Sequence, residues 1–283
     1  MPSDHTPQAL IADLTDRAIS GYHLLQIPSE FAGLLQVVHD ARPRTVVEIG
    51  AFSGASIWAM GQVCDPDTLL ITVDITDVNL PIGPFADQIR IPTRVWRLPR
   101  PVLSVVLHKD NRVHYRVIGD STSRGTRQLV ESLLKIHGRQ AIDVLFIDGD
   151  HTLKGVTADF DLFSPLVREG GVVAFHDIME NEIMRAKDCY VGVLWNDLKV
   201  RPGWHAEEIK DTSDTLYSGN PAWKVFGIGV LRKQPGTSVE APTAPLPHLC
   251  WFAYRLGHTL NMSIQYLIHV AGWFIKRLLG RKV

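Results

Sequence analysis

The sequence predicts an α/β fold built on a mostly parallel, nucleotide-binding sheet, and three stretches predict it. In the first, Thr45-Val46-Val47-Glu48-Ile49-Gly50-Ala51-Phe52-Ser53-Gly54-Ala55-Ser56, an apolar run ends in an acid and a glycine. A second glycine follows, and Ala55–Met60 reads as helix. That is strand, tight turn and helix. Gly50 permits a backbone conformation closed to other residues, and Gly54 lets another group approach the main chain. The N–H groups at the helix start favour an anionic group in the turn. In the second stretch, Leu69–Asp74, an apolar run ends in a carboxylate. It lies about two dozen residues after Gly50, where such folds hydrogen-bond ribose hydroxyls, so Asp74 is the candidate for that role. The third is a pair of apolar runs, Ala141–Ile147 and Val172–Phe175, each with a polar tip. Both suit strands buried on two faces of a parallel sheet, and their tips lie where open α/β sheets bind ligands.

The remaining elements fall in order around these. Leu10, Ile11, Leu14, Ala18 and Ile19 have helical spacing, with Asp4 or Thr6 as the cap; a second helix over Ser29–Arg42 takes Ser29 as its cap. Residues 79–111 carry Pro81, Pro84, Pro92 and Pro99 with Arg94, Arg97 and Arg100. This insertion reads either as an irregular lid or binding loop, or as surface with a helix over Val102–Lys109. His114–Ile118 is the next strand, and Thr126–His137, Lys154–Leu166 and Tyr190–Leu198 are helices. Trp204–Ile209 and Phe226–Leu231 close the sheet at seven strands.

The expected organisation is an N-terminal helical segment (1–28), a catalytic or binding domain (29–233), a proline-rich linker (234–248) and a helical tail (249–283). The tail repeats Phe252, Leu256, Leu260, Ile264, Leu267, Ala271, Phe274 and Leu278 at three- and four-residue steps, interrupted by polar residues that argue against a membrane span. Trp251, Trp273 and the basic end Lys276-Arg277 and Arg281-Lys282 are compatible with an interfacial membrane helix. Packing on a partner subunit in a homo-oligomer is the other option.

With 283 residues, 45% hydrophobic and 21% charged, the composition is that of a globular chain able to bury a core. A net charge of −1 lacks the basic excess of a nucleic-acid binder. Cys64, Cys189 and Cys250 are widely spaced and fit unpaired thiols in a reducing compartment. No basic-then-apolar leader opens the chain, so the expected location is cytoplasmic, with peripheral membrane contact through the tail as an option.

The glycine spacing separates candidate ligands. Phe52 stands where a dinucleotide turn has its middle glycine, and Ala55-Ser56 is not the Gly-Lys-Ser/Thr of a P-loop. The pattern E-x-G-x-x-x-G-x-S resembles the first motif of class I S-adenosylmethionine (SAM)-dependent methyltransferases, in the variant of small metal-dependent catechol-type O-methyltransferases. The resemblance implies a Rossmann-like class I methyltransferase sheet flanked by helices, with SAM as cofactor. Glu48, Gly50, Phe52 and Ser56 then face that cofactor, with Asp120 and Ser121 near its adenine.

The chemical centre is Asp148-Gly149-Asp150-His151 together with His176-Asp177. Two adjacent strands bring these groups to one edge, where clustered carboxylates repel unless a cation or proton compensates. A divalent ion answers this; oxygen ligation with room for waters suits Mg²⁺, and a histidine ligand favours Mn²⁺ or another transition metal. Here the sequence resembles the sugar- and antibiotic-tailoring branch of the metal-dependent O-methyltransferases, which includes cephalosporin hydroxylase-like proteins. That resemblance implies Asp148, His176 and Asp177 as metal ligands, Asp148 beside the cofactor, and His151 as general base. His176 departs from the Asp or Glu usual at its position. The plainer readings are a loop histidine capping the next helix for His151 and a hydrogen-bonding core histidine for His176.

The function implied is O-methylation of a hydroxyl on a small polyol or sugar-containing substrate, metal-assisted with a histidine base. The rival from another class is a non-catalytic SAM- or metal-binding assembly protein. An iron site for oxygenation ranks last, because no H-x-D triad spacing supports it.

Overall fold

The computed structural model describes residues 6–75, 85–89, 101–108, 112–211 and 226–236. All lie within one compact unit, Met1–Ala241. Most of the 79–111 insertion, the linker from residue 237 and the 249–283 tail with Cys250 fall outside them.

Five parallel strands form the centre: β1 (Thr45–Ile49), β2 (Leu69–Asp74), β5 (Val113–Ile118), β6 (Ile142–Ile147) and β7 (Val167–His176). β1 pairs with both β2 and β6; β2 pairs with β5, and β6 with β7. At one edge β9 (Ile228–Lys233) and β8 (Trp204–Ile209) add antiparallel. At the other, β4 (Val102–His108) pairs antiparallel with β5, and β3 (Phe85–Ile89) pairs with β4. The spatial order is β3-β4-β5-β2-β1-β6-β7-β9-β8. The sheet therefore has nine strands rather than the expected seven, the extra pair coming from the insertion.

The helix reading of Val102–Lys109 is overturned by β4. Burial there has a period of two, at Ser104, Val106 and His108, and the valines are β-branched, so the segment pairs residue by residue with β5. The other helix ends differ locally. Thr6 caps α1 (Pro7–Asp16) through Ala9 N–H. Ser29 does not cap α2 (Pro28–Ala41), whose cap position is Ile27; its hydroxyl instead donates to the Asp211 carboxylate. α4 (Arg124–Ile136) is capped by Ser123, and α5 (Leu153–Phe163) by Thr152, so His151 is not the cap. A short α6 (Glu182–Ala186) precedes α7 (Val191–Leu198).

Alternation along the central strands divides the core. Val47, Ile71, Leu145 and Val173 face one side, packed with α4, α5 and α7 through Leu133, Phe160 and Trp195. Val46, Leu70, Val144, Phe146, Val172 and Ala174 face the other, packed with α1, α2 and α3 (Ala55–Gln62) through Leu14, Phe31 and Trp58. Asp143 fastens the start of β1 to β6, accepting from the N–H groups of Arg44 and Thr45 at 2.9 Å each.

The carboxyl edge is set by one close approach. Asp148 N–H donates to Ile49 C=O at 2.8 Å, continuing the β1–β6 ladder beyond the strands. Gly50 has φ +87°, and a Cβ there would overlap the Asp148 carbonyl and lie 2.6 Å from Gly149 Cα. Beside it, Glu48 is buried in the sheet and its carboxyl accepts from Ser56 Oγ. Burial raises the Glu48 pKa to about 8; the Ser56 bond opposes that rise, and the nearby Asp148 and Asp74 add to it.

Two stability predictions follow from this edge. Gly50→Ala meets both backbone overlap and an unfavourable φ, so it is expected to lose more than ~2 kcal/mol in denaturant unfolding. Below the ordinary carboxylate range Glu48 is protonated in both states; as pH rises to about 8 the unfolded chain releases a proton that the native state keeps. Native stability from this group therefore falls through that window, at up to ~1.4 kcal/mol per pH unit. Glu48→Gln is expected to gain stability relative to the parent between pH 5 and pH 8 in ligand-free melts, and a constant difference would refute the shift.

Candidate active site

The tips of β6 and β7 bring together what lay 25 or more residues apart. His151 Nε2 is 3.2 Å from Asp148 Oδ1 and 3.3 Å from Asp177 Oδ2. His176 Nδ1 is 3.3 Å from the same Asp148 oxygen and 3.2 Å from Asp177 Oδ1. Two carboxylates and two imidazoles thus alternate around one point.

Backbone geometry makes this possible. His176 and Asp177 are successive residues and, in a continuing strand, would point to opposite faces. Asp177 instead has φ +63°, uncommon for a residue with a Cβ, and this turn brings both side chains to the same cluster. On the β6 side, Asp150 turns away: its carboxylate accepts from Thr152 N–H at 3.0 Å at the start of α5.

Electrostatics follow from the alternation. Burial opposes ionisation of Asp148, but the His176 and His151 imidazoles outweigh it and hold its pKa far below the usual carboxylate range. Burial likewise opposes charge on His151, and its bond to Asp148 and the field of Asp177 reverse that, raising its pKa. The same balance, with Asp177 as the largest opposing influence, raises His176 well above an ordinary histidine. The carboxylates are thereby compensated by imidazolium charge.

The histidines differ in access. The His151 side chain is 32% exposed, whereas that of His176 is 5% exposed. His176 Nε2 and Asp177 Oδ1 are buried without a hydrogen-bond partner. Among the described residues, the group able to hold an ion is Asp148, His151 and Asp177, whose donor atoms lie within 4.8 Å of one another. The ligand set expected from sequence had His176 in place of His151. His176 adjoins this group through Nδ1, on the side away from solvent.

The expected cofactor residues line the same edge. Phe52, at φ +42°, donates its N–H to Asp74 Oδ2 at 2.8 Å, so Asp74 braces the glycine turn from the end of β2. Arg116 on β5 donates to Phe52 C=O at 2.9 Å. Glu48 and Ser56 pair beneath the turn. Asp120 Oδ1 accepts from the N–H and hydroxyl of Thr122, at 2.9 and 2.7 Å, shaping the turn after β5, and Ser121 is buried there.

Sequence reasoning missed two residues. Gln26 Nε2 donates to Asp148 Oδ2 at 3.2 Å from the segment between α1 and α2. Glu30, fully buried in the first turn of α2, accepts from the N–H groups of Asp211 and Gly227 at 3.0 Å each. Burial raises its pKa, and those two bonds and the neighbouring His176 oppose the rise. Both lie more than 100 residues from their partners, and no local pattern marks either one.

A family model described as a methyltransferase domain matches residues 47–178. An uncharacterized protein of Acanthamoeba polyphaga mimivirus is 29% identical over 136 residues, which is 48% of this chain and 52% of that protein. The chain thus spans about half the length of the curated relative it matches. Among solved structures, the O-methyltransferase TomG of Streptomyces achromogenes, in complex with SAM, is 13% identical, covering 79% of this chain and 89% of that one at a TM-score of 0.47. An O-methyltransferase of Bacillus cereus in complex with SAH is 12% identical over 82% and 94%, also at 0.47. MycE of the mycinamycin pathway, in complex with Mg, SAH and mycinamycin VI, is 15% identical over 85% and 58%, at 0.47. The matched segment runs from within β1 through the glycine turn to just past the tip of β7, in a sheet whose parallel centre has antiparallel strands at both edges. Residues 47–178 of this chain thus match a methyltransferase-domain model, within a Rossmann-like sheet flanked by helices.

Proposed function

We propose that this chain is a SAM-dependent O-methyltransferase acting on a hydroxyl of a small polyol or sugar-containing molecule, with His151 as general base. The observation that carries this reading is the position of His151 Nε2. It is the accessible imidazole of the cluster, held at 3.2 and 3.3 Å by two carboxylates, and Asp148 is packed against the Gly50 turn.

SAM, when bound, supplies the methyl group as an electrophile on sulfur, and a divalent cation supplies Lewis acidity that lowers a hydroxyl pKa. The donors fit such a cation: Asp148 and Asp177 would offer carboxylate oxygens and His176, beside both carboxylates, the imidazole, which leaves His151 Nε2 to act as base. Mg²⁺ suits the oxygens and Mn²⁺ the imidazole. The residues of the glycine turn and Asp74 hold the cofactor side. His151 Nε2 takes the proton of the acceptor hydroxyl, and the imidazolium that results faces Asp148 and Asp177, whose charges stabilise it. His176 holds both carboxylates from the buried side and fixes their spacing. A metal-independent version has its own supporting observation: His176 Nδ1 already lies at 3.3 and 3.2 Å from the two carboxylates as a compensating cation.

Calorimetry is expected to detect SAM binding, and its absence would sink the proposal. His151→Ala is expected to leave SAM affinity intact and lower turnover by about 10²-fold or more; unchanged turnover would remove His151 as base. Because the His151 pKa is raised, the neutral imidazole accumulates only above the ordinary histidine range. The rate with the parent protein should therefore climb with pH to a midpoint above about 6.5. For the cation, paired substitutions Asp148→Ala and Asp177→Ala should abolish stimulation by Mg²⁺ or Mn²⁺, and no stimulation of the parent protein would favour the metal-independent version.

A further inference from the structure

Three residues of the glycine turn have positive φ: Gly50 at +87°, Phe52 at +42° and Gly54 at +79°. The two glycines adopt that conformation freely, whereas a residue with a bulky side chain is driven toward negative φ. Phe52 is therefore the position that has to be held. Its N–H donates to Asp74 Oδ2 at 2.8 Å, and its C=O accepts from Arg116 Nη2 at 2.9 Å. Both main-chain polar groups of one residue are thus taken by side chains of opposite charge, from the adjacent strands β2 and β5.

The neighbours of Arg116 let it reach the turn. It pairs with Thr72 on β2 and with Ser104 on β4, and residues paired in register present their side chains on one face. Both partners are short hydroxyl residues, which leave space along that face for a long side chain. Arg116 extends to the turn while remaining 5% exposed. A buried guanidinium is destabilising unless its N–H groups find acceptors, and the Phe52 carbonyl is one of them.

We infer that Arg116 is a positioning residue of the cofactor site: it locks residue 52 in the left-handed conformation, so that the turn has its cofactor-receiving shape before the cofactor arrives. This rests on the methyltransferase reading above. Without the lock, Phe52 relaxes toward negative φ, and SAM affinity falls with the fraction of molecules that keep the turn. A glycine at position 52 would need no lock.

The test is a double-mutant cycle on the full chain, with SAM affinity measured by calorimetry for the parent protein, Arg116→Met, Phe52→Gly and the two together. Arg116→Met is expected to raise the SAM Kd by roughly tenfold when Phe52 is present and by no more than about twofold beside Phe52→Gly. Arg116→Lys keeps a charged donor with a shorter reach and should raise the Kd by about threefold, again only with Phe52 present. It carries the cycle if the methionine variant does not fold. An equal loss in both backgrounds means that Arg116 only supports the sheet, and overturns the inference. Amide exchange of the ligand-free protein reads the turn without SAM: protection of the Phe52 N–H should drop by roughly tenfold in Arg116→Met. Unchanged protection also overturns the inference. Absence of SAM binding by the parent protein sinks the methyltransferase reading instead, and the exchange result then decides the lock.

Discussion

The carboxyl edge of the sheet depends on how closely two backbones meet at Gly50 and Asp148. The β1–β6 ladder runs one bond past the strands, from Asp148 N–H to Ile49 C=O, and the chain at residue 50 has no Cβ to prevent it. Because the contact is backbone against backbone, no side-chain rearrangement relieves an added atom there. The glycine turn and the loop that carries Asp148 and His151 are consequently held together as one unit. Phe52, held from opposite sides by Asp74 and Arg116, extends that unit across β2 and β5.

Charge is the second constraint. Asp148 and Asp177 lie within reach of the same two imidazoles, and burial alone would neutralise all four groups. Their alternation opposes that penalty for Asp148, His151 and His176: each imidazole meets two carboxylates and each carboxylate two imidazoles. His176 is the buried member, between both carboxylates, and His151 is the more exposed of the two imidazoles. His176 thereby sets a second imidazole, with a raised pKa, between Asp148 and Asp177. Glu30 lies near His176, its carboxyl accepting from two backbone N–H groups that anchor the outer strands to α2, and burial raises its pKa.

How much was legible depended on whether a residue's neighbours were local. Strands such as β2 and β6 could be read because each is an apolar run buried on both faces and followed by or ending in a carboxylate, as in Leu69–Asp74 and Ile142–Ile147. The 102–108 strand was not read, because Val-Leu-Ser-Val-Val-Leu-His is short and apolar, and only pairing with β5 decides between helix and strand. Ser29 has the chemistry of a cap, yet Asp211, brought in from 182 positions away, offers its hydroxyl a partner. Gln26 was invisible for the same reason: a glutamine between two helices carries no sign of the carboxylate it will meet.

The sequence by itself determined the alternation of strands and helices, the glycine turn, and the two polar tips, since each rests on periodicity or on backbone freedom encoded by adjacent residues. Only the tertiary structure decided which atoms of those tips face one another. The left-handed turn at Asp177 puts two successive side chains on one side, and the packing of α2 delivers Gln26 and Glu30 from the N-terminal segment. Long-range register and burial fix those contacts, and neither is written in any single stretch of the chain.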